Sequence, residues 1–162
     1  MTRCAAIFAI VLLALVLPSA PQARAADAIA VVVNKANPVD NITIEELRRY
    51  CIAERKYWKD GKRVTVVLRD PGQAERSAVL QFIYRMTEAD YARHFLQAEF
   101  TGEVQTAPKH LATANGVVRF VFNVPGAIGF VRAGDLDPSV KVVRVNGLAP
   151  GDPRYPLLLS GR

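Results

Sequence analysis

Val64-Thr65-Val66-Val67-Leu68-Arg69-Asp70-Pro71-Gly72-Gln73-Ala74-Glu75-Arg76-Ser77 is the stretch around which the rest of the chain is read. Its first half is a short, β-rich apolar run, which predicts a buried strand. Asp70-Pro71-Gly72 ends that strand, because proline cannot extend a central strand and glycine allows a tight turn. From Ala74 the period changes. Ala78, Val79, Phe82, Ile83 and Met86 recur at helical spacing, with Arg76, Gln81 and Arg85 between them. The segment therefore reads as strand, turn and helix N-terminus. Unpaired N–H groups and the helix dipole make such an end receptive to anions. Arg69 and Arg76 flank the turn and add charge of the matching sign, unless they are used up by Asp70 and Glu75.

Upstream, Arg3 is followed by an unbroken apolar run from Ala5 to Leu17, then Pro18 and an Ala23-Arg24-Ala25 cleavage pattern. This predicts a cleavable signal peptide over residues 1–25 and a periplasmic or otherwise exported protein. As a helix the run spans roughly 20 Å, short of the ~30 Å bilayer core, so no stable membrane insertion is expected after cleavage. Cys4 precedes the run, which argues against a lipoprotein site. Cleavage removes Arg3 and Arg24 and takes the formal charge from +6 to about +4. That balance suits anionic solutes or an anionic surface, while an exported location makes nucleic acid an unlikely partner. Cys51 is then the remaining cysteine and reads as a small buried apolar residue.

Along the mature chain, Ala28 to Val33 is continuously apolar and suggests a central strand, compatible with parallel pairing. Thr43-Ile44-Glu45-Glu46 is a capping box that opens a helix through about Cys51, with Ile44, Leu47 and Cys51 inward. Residues 54–63 form a basic loop with an Asp60-Gly61 turn, which Trp58 is expected to anchor on the core. Thr87 caps a further helix that ends at Phe100-Thr101-Gly102 and turns Tyr91, Phe95 and Leu96 inward. Val117 to Val124 fits strand and helix equally well. Pro125-Gly126 is a break, and Ala127–Val131 and Val140–Val145 read as strands. The tail from Leu148, with Leu157-Leu158-Leu159, is either docked or loose. Alternating strands and helices predict an α/β three-layer sandwich with a mixed, mostly parallel sheet. The domain is placed at 26–147 and a C-terminal tail at 148–162.

Asn34-Lys35-x-Asn-Pro38, Thr43-x-Glu-Glu-Leu47, Trp58-x-Asp60-Gly61, the Val66-to-Arg69 strand and Pro125-Gly126-Ala127-Ile128-Gly129-Phe130-Val131 follow one another in a characteristic order. In this order the chain resembles one lobe of the phosphate-binding proteins of ABC importers, within the type 2 periplasmic-binding-protein superfamily. The likeness runs from about Ala28 to Gly147. It implies a helix over Val117 to Val124 and an oxyanion, phosphate foremost, held at the turn after Arg69. Three departures accompany it. Gln73, Ala74 and Glu75 stand where the family has Ser-Gly-Thr, so two hydroxyl donors are replaced and a carboxylate is added. Ala53 takes a place usually held by glycine, and the length suits one lobe where the family has two.

Catalysis is not indicated, and no cofactor or metal is implied. His94 falls on a predicted helix and His110 in a predicted polar loop, without partners at ligand spacing. Cys51 lacks a nucleophile motif, and Ser77 and Ser160 lack a G-x-S-x-G context. Two readings follow. In the first, an exported solute-binding-like protein holds phosphate or another small oxyanion at Arg69, Gly72, Gln73, Ala74, Arg76 and Ser77, in connection with ABC-type import. In the second, an interaction or sensing module keeps the fold without the phosphate site and meets a membrane transport or sensor protein.

Overall fold

The computed structural model describes residues 26–104 and 107–159, so the expected signal peptide lies outside the described residues. Within them, six strands form one sheet: β1 (Ile29–Val33), β2 (Asn41–Ile42), β3 (Thr65–Arg69), β4 (Lys109–Leu111), β5 (Ala127–Arg132) and β6 (Lys141–Val145). Their spatial order is β2-β6-β1-β5-β3-β4. The helices are α1 (Ile44–Cys51), α2 (Ala74–Val79), α3 (Glu88–Phe100) and α4 (Ala114–Asn123). Helix α2 continues directly into a π-helical turn, Leu80–Tyr84.

The sheet is mixed. β3 lies parallel to β4 and β5, and β2 parallel to β6, whereas β1 is antiparallel to both β5 and β6. β1 is thus central, as its apolar run requires, but not parallel. A strand apolar on both sides records that both sheet faces are covered, and direction is set by the connections.

Both faces are covered here. Ile29, Val31 and Val33 of β1, Val66 and Leu68 of β3, and Ile128 and Phe130 of β5 pack with Leu47, Tyr84, Tyr91 and Phe95 on the side of α1, α2 and α3. The alternate residues Ala30, Val32, Val67 and Val131 meet Val117, Val118 and Val121 of α4 on the other side. The result is a three-layer α/β sandwich.

Two glycines of the Pro125–Val131 segment have steric reasons. A Cβ on Gly129 would lie 2.6 Å from Val117 Cγ1, so glycine lets α4 settle against β5. A Cβ on Gly126 would lie 2.0 Å from the Arg63 carbonyl oxygen, where the Trp58 loop crosses. Val117–Val124 is therefore the end of a helix, as the family likeness implies, with Thr113 as N-cap.

Several local expectations change. Leu96 is 71% exposed, and Ala98 takes its place beneath α3, because the buried arc of this weakly amphipathic helix is narrow. After α2, the π turn buries Leu80, Ile83 and Tyr84, leaving Phe82 and Met86 half-buried. Arg85 closes that turn in the left-handed conformation, φ +57°. His110 belongs to edge strand β4 and not to a loop. The tail docks: Tyr155 and Leu157 are buried, Tyr155 donates its hydroxyl proton to the Ile29 carbonyl, and Leu158 bridges Ala28.

Candidate functional site

The corner begins where β3 delivers Arg69 to the sheet end. Asp70 N–H donates to the Leu111 carbonyl (3.1 Å), tying the turn to β4. Gly72 has φ +86°, a conformation that favours glycine, and Gln73 N–H closes the turn on the Asp70 carbonyl at 3.3 Å. Gln73 is the N-cap of α2 in extended conformation and gives the helix no side-chain cap. The first backbone N–H groups of α2 consequently have no partner supplied by the helix or its cap.

Arg69 is 8% exposed. Its Nη2 donates to Gln73 Oε1 at 3.2 Å, which holds the guanidinium against the helix start. Its Nε and Nη1 are buried without a hydrogen-bond partner. Buried donors of a charged group are costly to leave unmet, so such a guanidinium invites an acceptor.

Arg76, expected to supply charge to a bound oxyanion, has its guanidinium engaged by Glu88. It is 2% exposed, its Nε donates to both Glu88 oxygens (3.0 and 2.9 Å), and its Nη2 donates to Glu88 Oε1 at 2.5 Å. The guanidinium carbon lies 4.7 Å from the centroid of the Tyr91 ring, and Nη1 donates to the Arg69 carbonyl at 3.2 Å. Burial works to lower the Arg76 pKa, but the Glu88 hydrogen bond and charge outweigh it and the net direction is up. Glu88 is correspondingly held below the usual carboxylate range, chiefly by that hydrogen bond.

Glu75, buried in the first turn of α2, accepts from Arg132 Nε of β5 at 2.9 Å, while its Oε2 has no partner. The added carboxylate thus meets a cation across the corner. Ser77 donates its hydroxyl proton back to the Gln73 carbonyl at 3.3 Å, in the manner of a hydroxyl inside a helix. Gly72 and Ala74 are exposed and Gln73 half-buried at the rim. The corner therefore brings together Arg69, Gly72, Gln73 and Ala74, with Arg76 behind them and Ser77 turned to the backbone. Neither arginine pairs with Asp70 or Glu75 in the hydrogen bonds described.

Glu88, Tyr91 and His110 were not marked by the sequence as neighbours of this corner. Tyr91 Oη lies 3.4 Å from His110 Nε2. Partial burial of the ring, then the Arg76 charge, push the His110 pKa below its ordinary value, against Asp70 and Glu88. These contacts join the start of α3 to β4 and depend on tertiary packing that no local spacing reports.

At the opposite end of β3, Trp58 is buried as expected. Its Nε1 donates to the Gly126 carbonyl at 2.9 Å, and its ring packs on Tyr50 with centroids 4.5 Å apart.

No protein-family model matches the chain. Solved structures do. A protein from Clostridium perfringens, described as a phosphate ABC transporter substrate-binding protein and solved with bound phosphate, is 21% identical with TM-score 0.63, over 76% of this chain and 47% of its own. An ABC-type phosphate transport receptor from Vibrio cholerae is 23% identical with TM-score 0.62, over 76% and 48%. PstS from Borrelia burgdorferi is 17% identical with TM-score 0.63, over 81% and 54%. The chain spans about half the length of the solved proteins it matches. Its described residues carry the α/β fold of one lobe of the phosphate-binding proteins of ABC importers.

Proposed function

We propose that the chain is an exported, non-enzymatic solute-binding-like protein whose β3–α2 corner takes a small oxyanion, phosphate being the first candidate. The observation that carries this reading is Arg69, a buried guanidinium with two unpaired nitrogens set beside an uncapped helix start. An oxyanion there would accept from Arg69 and from the N–H groups near Gly72 to Ala74, and would lie at the positive end of the helix dipole. Arg76 serves as the support that fixes the Arg69 carbonyl, with its own charge directed to Glu88. The phosphate-binding neighbours support the ligand class, and the apolar run ahead of Ala26 supports export. No helix among the described residues is long and apolar enough to cross a membrane. Handing the anion to a membrane transport protein belongs to the same proposal.

The second reading, an interaction or sensing module, is favoured by one observation. The hydroxyl nearest the turn, on Ser77, is committed to the Gln73 carbonyl. Calorimetric titration of the full chain with phosphate and with sulfate at low salt separates the two. Saturable micromolar binding, abolished by Arg69→Ala, is expected for oxyanion capture. Absence of heat at millimolar phosphate and sulfate, with the chain folded, would sink capture and leave the interaction module.

A further inference from the structure

Helix α3 carries two apolar stripes. Tyr91, Phe95 and Ala98 are buried against the rest of the domain, whereas Ala89, Ala92, Leu96 and Phe100 lie on the outer side and are exposed. At 3.6 residues per turn these four outer positions fall within an arc of about 80°. Leu96 is 71% and Phe100 93% exposed, and one turn apart they form a continuous patch, unlike apolar residues scattered singly over a surface. A helix apolar on two sides is necessarily weakly amphipathic, and its own domain buries only one of those sides.

Charge around the outer stripe narrows what can cover it. Arg93 Nη1 lies 3.5 Å from Asp90 Oδ1, Glu88 is paired with Arg76, and Glu99 accepts from the Ala107 N–H at 2.8 Å. Residues 88–103 hold four acids, Glu88, Asp90, Glu99 and Glu103, against the one arginine, Arg93. An anionic lipid surface would meet like charge there, so the face suits a protein. The stripe is also graded, with alanines toward the start of α3 and large side chains toward its end. Such a surface complements itself when turned end for end, which is what a two-fold interface requires.

We infer that the outer face of α3 is a self-association surface, on which two copies of this chain pair as a weak homodimer. Antiparallel packing of the two helices sets Leu96 against Leu96 at the two-fold axis. It lays Phe100 of each copy over Ala89 and the aliphatic stem of Arg93 of the other, with the Arg93 charge at the rim. Leu96 and Phe100 bring roughly 300 Å² of apolar surface from each copy. With the alanines and flanking stems the interface totals about 1,000 Å², the low end for specific protein contacts, which is why the dimer is weak. The inference does not rest on the oxyanion reading of the corner.

Sedimentation equilibrium of the full chain tests this, and a monomer–dimer equilibrium is expected between about 10 µM and 1 mM. Leu96→Glu/Phe100→Glu, which sets like charges across the two-fold axis, should weaken it by at least about tenfold. Tyr57→Glu/Phe122→Glu, an equal charge change at the other two exposed large apolar side chains among the described residues, should not. All four positions are at the surface, and unchanged far-UV circular dichroism verifies that each variant is folded. The apolar run ahead of Ala26 is common to every variant, so the difference among them reports the α3 face. Orientation is read by cross-linking in a Cys4→Ser background, where Cys51 is buried. Leu96→Cys should join to itself under mild oxidation, whereas Phe100→Cys, about 12 Å from its mate along the antiparallel pair, should not. A monomer throughout the concentration range would overturn the inference and leave the face to a different protein. An equilibrium unchanged by Leu96→Glu/Phe100→Glu, or self-joining of Phe100→Cys in preference to Leu96→Cys, would overturn it equally.

Discussion

Arg76 Nη1 donates to the carbonyl of Arg69 at 3.2 Å, so the arginine inside α2 holds the backbone of the arginine that ends β3. The strand end and the helix start are thereby locked, and the lock is anchored outside the corner by Glu88. Two arginines that look equivalent by spacing have different tasks: Arg69 offers unpaired donors, while Arg76 has its guanidinium engaged.

Glu88→Gln should destabilise the fold by about 1 kcal/mol at neutral pH, a value held down because the Glu88 side chain is half-exposed. A carboxyl that is more acidic in the folded chain stabilises it above the unfolded value of about 4.3. That contribution is lost as pH falls through the folded value. The gap between the parent chain and Glu88→Gln should therefore be full at pH 7 and shrink below about pH 4. Urea unfolding at the two pH values checks this, and a gap independent of pH would remove the ion pair from the account.

Gly129→Ala should cost about 1–3 kcal/mol by overpacking, since its Cβ would meet Val117 Cγ1 at 2.6 Å and Val121 Cγ2 at 3.0 Å. Val117→Ala in the same chain should return part of that loss. A double-mutant cycle by chemical denaturation gives the coupling, which must be favourable if the clash is the cause.

Ala53 has φ +64°, a left-handed conformation that favours glycine. Ala53→Gly relieves the left-handed cost and adds unfolded-state entropy, so the net should be a gain of up to about 1 kcal/mol. A rise of a few degrees in Tm is expected, and a fall would mean that the Ala53 methyl contributes packing.

Cys51 is buried, and burial pushes its thiol up to about 12. A thiol-specific disulfide reagent at pH 8 should leave Cys51 unlabelled in the folded chain and label it in denaturant, as read by peptide mass mapping.

What was legible in the sequence follows from how local each signal is. The Thr43–Glu46 capping box and the Thr87 cap are complete within four residues, and both form as read. The Val64–Ala74 break also holds, because proline and glycine act on their own backbone. Direction and partners are not local. β1 reads as central from its composition, yet its antiparallel pairing is set by chain crossings. Short edge strands such as β4 carry too few residues to show a period, so His110 reads as loop. Arg76 reads as an oxyanion-binding charge equal to Arg69, because spacing alone places both beside the turn. Its burial depends on Glu88, twelve residues on, reaching back across the π turn. The corner's turn was thus readable, and the division of labour between its arginines was not.

The docked tail has a mechanical consequence. Leu159 N–H donates to the Asp27 carbonyl at 2.8 Å, and Leu158 bridges Ala28 in antiparallel sense, so residues 27 and 159 lie side by side at one point of the surface. A force applied between those two residues would open their bonds one after another, as a zipper is opened, and not shear them together. This domain should therefore yield at low pulling force, losing the Tyr155–Leu159 strap first while the central strands stay paired.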